Sequence, residues 1–161
     1  MTTTTTTTGF QLASPAFGND QLIPARHTCE GDGISPELAW SAPPVAVKSF
    51  ALLVHDPDAP KGDFTHWLLW DIPATETSLA EGKGSQSSGA TGTNSLNDVA
   101  YLPPTPPPGD SPHRYIFELY ALDVSKLGLR RGSNRMEFEA AIRPHVLAGA
   151  RLIGRFGRPL R

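Results

Sequence analysis

A mainly β fold, an antiparallel β-sandwich closed by two short C-terminal helices, is predicted by three features of the chain. Fifteen glycines and sixteen prolines in 161 residues break long helices and favour short strands joined by loops. Two apolar runs, Phe50–Val54 and Trp67–Ile72, flank a turn stiffened by Pro57, Pro60 and Gly62, which reads as paired strands. The stretch His113–Asp123 alternates Tyr115, Phe117, Leu119 and Ala121 with Ile116, Glu118, Tyr120 and Leu122, the period of a strand. A chain of this length suits one domain that buries roughly two-thirds of its unfolded surface.

Taken in order, the chain opens on Thr2–Thr8, which has no apolar group to offset the entropy of ordering, so residues 1–9 read as a disordered tail before a single domain over 10–161. Phe10–Phe17 alternates in part and suits an edge strand. Residues 24–46, broken by Pro24, Gly31, Gly33, Pro36, Pro43 and Pro44, read as irregular, with Trp40 anchoring them to the core. In residues 48–56, Phe50, Leu52 and Val54 share one face and Ala51, Leu53 and His55 the other. Both faces are apolar, which marks a central strand covered on two sides. Residues 74–112 exceed the roughly 12–15 residues of an ordinary long loop, with a short strand or turn expected near Asn97–Tyr101 and a mobile part at Gly84–Gly92. Prolines 103, 104, 106, 107 and 108 should hold the end of this segment extended.

The C-terminal third reads as helical. Ser133 can cap a helix to Ile142, with Glu137 in its early turns. Pro144 then sits where a second helix tolerates it, and Val146, Leu147, Ala150 and Ile153 recur at helical spacing up to Phe156. On such a helix His145 faces the buried side, and Arg151, Arg155 and Arg158 form one stripe. Glu118, the single charge inside the strongest strand, needs a partner if buried, and Arg26 or Arg114 could supply it.

Composition narrows the function classes. The net charge of −2 conceals −9 over residues 1–123 and +7 over residues 124–161. This fits a basic segment docked on an acidic sheet, or a contact for an acidic partner. No nucleic-acid partner is expected. No run approaches the ~20 apolar residues of a membrane span, and the N-terminus has neither the basic nor the apolar region of a signal peptide. A lone cysteine, Cys29, excludes an internal disulfide and fits a reducing cytoplasm.

Candidate chemistry gathers at the strand ends. Asp56 and Asp58 leave the first apolar strand, His66 enters the second, and His113 and Tyr115 open the third, so neighbouring strands would bring them to one edge. Two imidazoles and a phenol supply donors for an anion. The carboxylates fit if they keep the imidazoles charged, or if the ligand is a zwitterion such as phosphoethanolamine. The same groups could also ligate zinc or manganese, although no helical His pair or Cys pair accompanies them. They could equally act as base and orienter in an enzyme, although Ser95 and Ser111 lie in no nucleophile elbow and Gly82–Ser85 is not a phosphate loop. We read no cofactor, no metal and no catalysis, and a small-anion site instead.

Four motifs in order carry a family resemblance: Ile23–Gly33 leading into Ser35–Trp40; Asp56-Pro57-Asp58-Ala59-Pro60 with Thr65-His66-Trp67; Pro112-His113-Arg114-Tyr115; and His145-Val146-Leu147-Ala148. Over residues 10–157 the chain resembles the phosphatidylethanolamine-binding protein family, most of all its bacterial YbhB/YbcL-like branch. The resemblance implies a β-sandwich and a ligand pocket built from Asp56, Asp58, Pro60, His66, His113 and Tyr115. In some relatives it implies inhibition of a protease or kinase, or a signalling role. The chain departs from the pattern where the family places glycines before the His-Arg-Tyr strand: Leu102–Pro107 stands there, and proline offers no N–H to a ligand. That departure favours one alternative, an interaction scaffold with a vestigial pocket, while the Asp/His cluster keeps open another, an enzyme acting on a small phosphorylated or acyl substrate.

Overall fold

The computed structural model describes residues 9–82 and 89–160. Two sheets face each other. In the smaller, β1 (Gln11–Ala13) and β6 (Ser78–Leu79) flank β3 (Leu38–Ser41). The larger has the order β2-β9-β8-β4-β5-β7, with β2 at Gln21–Leu22, β4 at Ser49–Asp56, β5 at Phe64–Pro73, β7 at Ala90–Thr91, β8 at His113–Leu122 and β9 at Val146–Phe156. All pairings are antiparallel except β2 with β9.

Alternation along the central strands builds two cores. Phe50, Leu52 and Val54 of β4 and Tyr115, Phe117 and Leu119 of β8 turn toward the small sheet. There Phe50 meets Phe10 and Trp40 at ring distances of 6.2 and 5.3 Å, and Phe117 meets Phe17 at 5.7 Å. Ala51 and Leu53 turn the other way, with Leu68, Trp70 and Leu122, under α1 (Arg135–Ile142), whose Phe138 and Ile142 close the second core. All eight residues of β4 are buried, as expected of a strand covered on both faces. The register slips by one between Phe50↔Ile72 and Leu52↔Leu69, where Asp71 takes φ +58°; this bulge keeps both Leu69 and Ile72 in the main core.

The expected second C-terminal helix is instead β9, eleven residues paired along β8 from His113↔Phe156 to Leu122↔Val146. Pro144 opens only one tight 3-10 turn, Arg143–His145. The helical spacing of Val146, Ala150 and Ile153 coexists with an alternation of small and apolar residues, Ala148, Ala150, Leu152, Gly154 and Phe156, and this second period wins because β8 offers a free edge to pair with. His145 is half-exposed and bonds Asp123 at 2.9 Å, not buried as the helical reading had it. Arg151, Arg155 and Arg158 form no helical stripe: Arg151 and Arg155 lie on one face of β9 and bond Glu118 and Asp20, while Arg158, beyond the strand, bonds the Pro106 carbonyl. The basic C-terminal segment is thus tied in part to acidic groups of the chain itself.

Smaller expectations also shift. The helix cap is Asn134, not Ser133: its side chain accepts from the Glu137 amide while Glu137 accepts from the Asn134 amide. Near 97–101 the turn alternative holds, closed by the Asn97 amide on the Asn94 carbonyl at 2.9 Å, and no strand forms. The buried Asn94 side chain accepts from the amides of Leu96 and Asp98 and donates to the Ala100 carbonyl, satisfying groups a ladder would otherwise use. The long segment contributes β6 and β7 instead. Its expected mobile part falls mostly outside the described residues, as does the threonine tail, and Ala90–Thr91 within it is strand. Residues 24–46 are less irregular than read, since they hold β3 and a 3-10 turn at Ala25–His27.

Gly154 explains why β9 can lie beside β2. A Cβ there would come within 2.5 Å of Ile23 Cγ1 and 2.8 Å of Phe17. Gly154→Val should therefore cost about 1–3 kcal/mol or more by overpacking, read as a lower urea midpoint. An unchanged midpoint would mean that β2 does not lie against β9 in solution.

Candidate functional site

The site residues sit where β4, β5 and β8 share one end. β4 delivers Asp56 as its last residue and β8 delivers His113 as its first; the tight turn after β4 carries Asp58 and Pro60. Asp56 is buried. Its Oδ2 lies 2.7 Å from His113 Nδ1, and its Oδ1 accepts from the Asp58 amide at 2.8 Å, so one carboxylate fixes both the imidazole and the turn. His113 Nε2 lies 3.0 Å from Asp110 Oδ2. The ring is therefore held between two carboxylates and donates from both nitrogens. Burial opposes its charge, but the hydrogen bonds and charges of Asp56 and Asp110 outweigh burial and raise its pKa above the ordinary value.

His66 behaves oppositely. Burial pushes its pKa down, with the hydrogen bond to Leu102 and the charge of Asp56 too weak to compensate. Its Nδ1 lies 2.7 Å from the Leu102 carbonyl, which can only accept, so Nδ1 carries the hydrogen. In the neutral ring Nε2 is then an acceptor. The expectation that neighbouring carboxylates raise both imidazoles holds for His113 and fails for His66, because His66 bonds a neutral carbonyl where His113 bonds two anions.

Tyr115 follows His113 on the same face of β8. Its ring meets His66 edge-on at 5.2 Å and lies roughly parallel to His113 at 6.4 Å. The hydroxyl is buried beside the Asp56 carboxylate, and burial first, then the charge and hydrogen bonding of Asp56, pushes its pKa up, so it stays a phenol. Asp58 turns to the rim. It takes Arg114 through Nη2 at 2.8 Å and Nε at 3.0 Å and accepts from the Arg114 amide at 2.9 Å, which lowers its pKa to about 2. That fork leaves Asp58 engaged with its own chain. Pro60 lies exposed on the turn, outside this bonded group.

Two functional candidates escaped the sequence reading. Asp110 stands three residues before His113, and its spacing alone could have flagged it. Arg114 was weighed only as a partner for Glu118, yet it clamps Asp58. Glu118 instead bonds His55 Nε2 at 2.7 Å and Arg151 at 3.2 Å, on the opposite face of the sheet. The proline stretch, standing where the family has glycines, contributes carbonyls: Pro104 accepts from the Cys29 amide at 3.0 Å and Pro106 from Arg158 at 2.7 Å. A cavity of about 130 Å³ lined by Glu30, Pro108, Arg158 and Pro159 adjoins the same loop. Among the described residues no three His, Cys, Asp or Glu side chains converge so as to hold a metal ion, and no helix is long and apolar enough to cross a membrane.

The family model for phosphatidylethanolamine-binding protein matches residues 13–157. A UPF0098 protein of Aquifex aeolicus is 41% identical over 151 residues, covering 92% of this chain and 88% of that protein. The crystal structure of CT736 from Chlamydia trachomatis, described as a phosphatidylethanolamine-binding protein homolog, superposes with a TM-score of 0.87 at 36% identity, covering 94% of this chain and 99% of that one. E. coli YbcL, described as a member of the mammalian PEBP family, gives 0.87 at 30% identity, with 92% and 98% covered. A carboxypeptidase Y inhibitor, crystallised with its cognate proteinase, shares the fold at a TM-score of 0.55 and 18% identity, with 93% and 84% covered.

Proposed function

Because the chain belongs to the phosphatidylethanolamine-binding protein family, we propose that it binds a small anionic or zwitterionic phosphoester of the head-group class at Asp56, Asp58, Pro60, His66, His113 and Tyr115. The observation that carries this reading is the trio at the centre: a charged imidazole that donates, a neutral imidazole that accepts, and a buried phenol held beside Asp56. An acceptor beside a cationic donor suits a ligand that presents both an anionic oxygen and an O–H or N–H. Asp56 backs the cationic donor, and the Asp58–Arg114 fork steadies the turn at the rim. Binding is favoured over catalysis because His113 Nε2, the atom a base would use, faces the Asp110 carboxylate and not a hydroxyl or thiol. The likeness to the carboxypeptidase Y inhibitor is one of fold, so protease inhibition is not carried to this chain.

Calorimetric titration with glycerophosphoethanolamine tests the reading, since a phosphodiester keeps its charge over about pH 5 to 8. Affinity should be highest at the acidic end and fall as pH rises through the elevated His113 pKa, above the ordinary value of about 6.5. His113→Gln should weaken binding by about tenfold or more and flatten the slope, because an amide donates but gains no charge. Binding that ignores both pH and His113→Gln would remove the site from these residues.

A further inference from the structure

We propose that Asp110 is an internal competitor for the anion position on His113, so that ligand affinity is set by the displacement of a carboxylate belonging to the chain itself. The inference rests on the head-group reading of the same site. An anion bound to the charged imidazole must bond the nitrogen that Asp56 leaves over, and Asp110 Oδ2 already lies 3.0 Å from it. The two carboxylates differ in how they are held. Asp56 is 4% exposed at its side chain and ends a central strand, whereas the Asp110 side chain is 43% exposed and hangs from a loop.

The loop backbone is fixed. The Gly109 amide donates to the Arg158 carbonyl at 2.9 Å, the Asp110 amide to that of Pro107 at 3.3 Å, and Pro108 bridges Arg158. Gly109 takes φ +87°, which turns the chain toward His113. Release of His113 therefore needs only a rotation of the Asp110 side chain into solvent, with the loop left in place. Beyond Asp56 and Asp110, the ring interacts with Asp58, which Arg114 pairs, and with His66, which burial keeps neutral. The site thus trades one anion for another at nearly constant local charge, and the internal contact lowers the affinity of every ligand that must displace it.

Titration of Asp110→Asn and Asp110→Ala with glycerophosphoethanolamine at about pH 6 tests this, with Asp32→Asn as a control for loss of a surface carboxylate. Both Asp110 variants should bind about tenfold tighter or more than the unaltered chain, and Asp32→Asn should match it. Measurable binding by the variants alone would support the competitor most strongly. Equal or weaker binding by both variants, with the unaltered chain still binding, would overturn the competitor and leave the head-group reading standing. No binding by any of the proteins would overturn both. In the ligand-free protein, NMR titration of the His113 ring should show its midpoint lower in Asp110→Asn; an unmoved midpoint would mean that the contact does not form in solution.

Discussion

Leu152→Asp should unfold the chain or cost about 4–5 kcal/mol, because it places an unpaired carboxylate in the main core, where Leu152 is 2% exposed. Ile153→Asp, one residue on, should cost far less, since that side chain lies on the opposite face of β9 and is only partly buried. Chemical denaturation of both variants reads the period of the segment directly. A helix through residues 146–156 would instead put Ile153 on the apolar stripe with Val146 and Ala150. Equal losses at 152 and 153, or a larger loss at 153, would contradict the pairing of β9 with β8.

The second large effect is expected at Glu118. It is 5% exposed and bonds His55 Nε2 at 2.7 Å and Arg151 at 3.2 Å, while His55 Nδ1 bonds Asp63 at 2.8 Å and Asp63 bonds Arg135 at 3.0 Å. This chain of hydrogen-bonded side chains runs across the helix-bearing face of the sheet and ties α1 to the turn after β4. Glu118→Ala removes its most buried carboxylate and leaves a buried imidazole and a guanidinium facing each other. A loss of about 3–5 kcal/mol is expected from urea melts. Glu118→Leu together with His55→Leu should recover much of it, since an apolar pair of similar volume avoids burying charge. A single variant as stable as the unaltered chain would show that Glu118 reaches water.

The parts of this fold that were legible in the sequence are those where local pattern and tertiary context agree. The faces of β4, the alternation of β8 and the pairing of β4 with β5 follow from period-two patterning in strands long enough to display it. The segment after Pro144 was misread because its small residues satisfy two periods at once. What decides between them is the edge of β8, which lies more than twenty residues away in the chain, and the cleft between Phe17 and Ile23 that only Gly154 fits. Strands of two residues, β6 and β7, carry no period at all. At the site, Asp56, His66, His113 and Tyr115 could be collected because strand ends converge. The opposite charge preferences of His66 and His113 could not, because they depend on whether the second partner is the Leu102 carbonyl or the Asp110 carboxylate, and both come from a loop without periodicity.

The place of β9 in the large sheet bears on how the molecule is made. It is the last strand among the described residues, yet it lies between β2, near residue 21, and β8. Until β9 has left the ribosome, one edge of the ten-residue β8 has no strand to pair it, and the core side chains of Phe17 and Ile23 have no floor. Folding must therefore wait for synthesis to pass residue 156, and the loop-closure entropy of joining residues 21 and 154 comes due only then. Nascent chains stalled short of β9 should be the species that chaperones hold and that aggregate through the β8 edge.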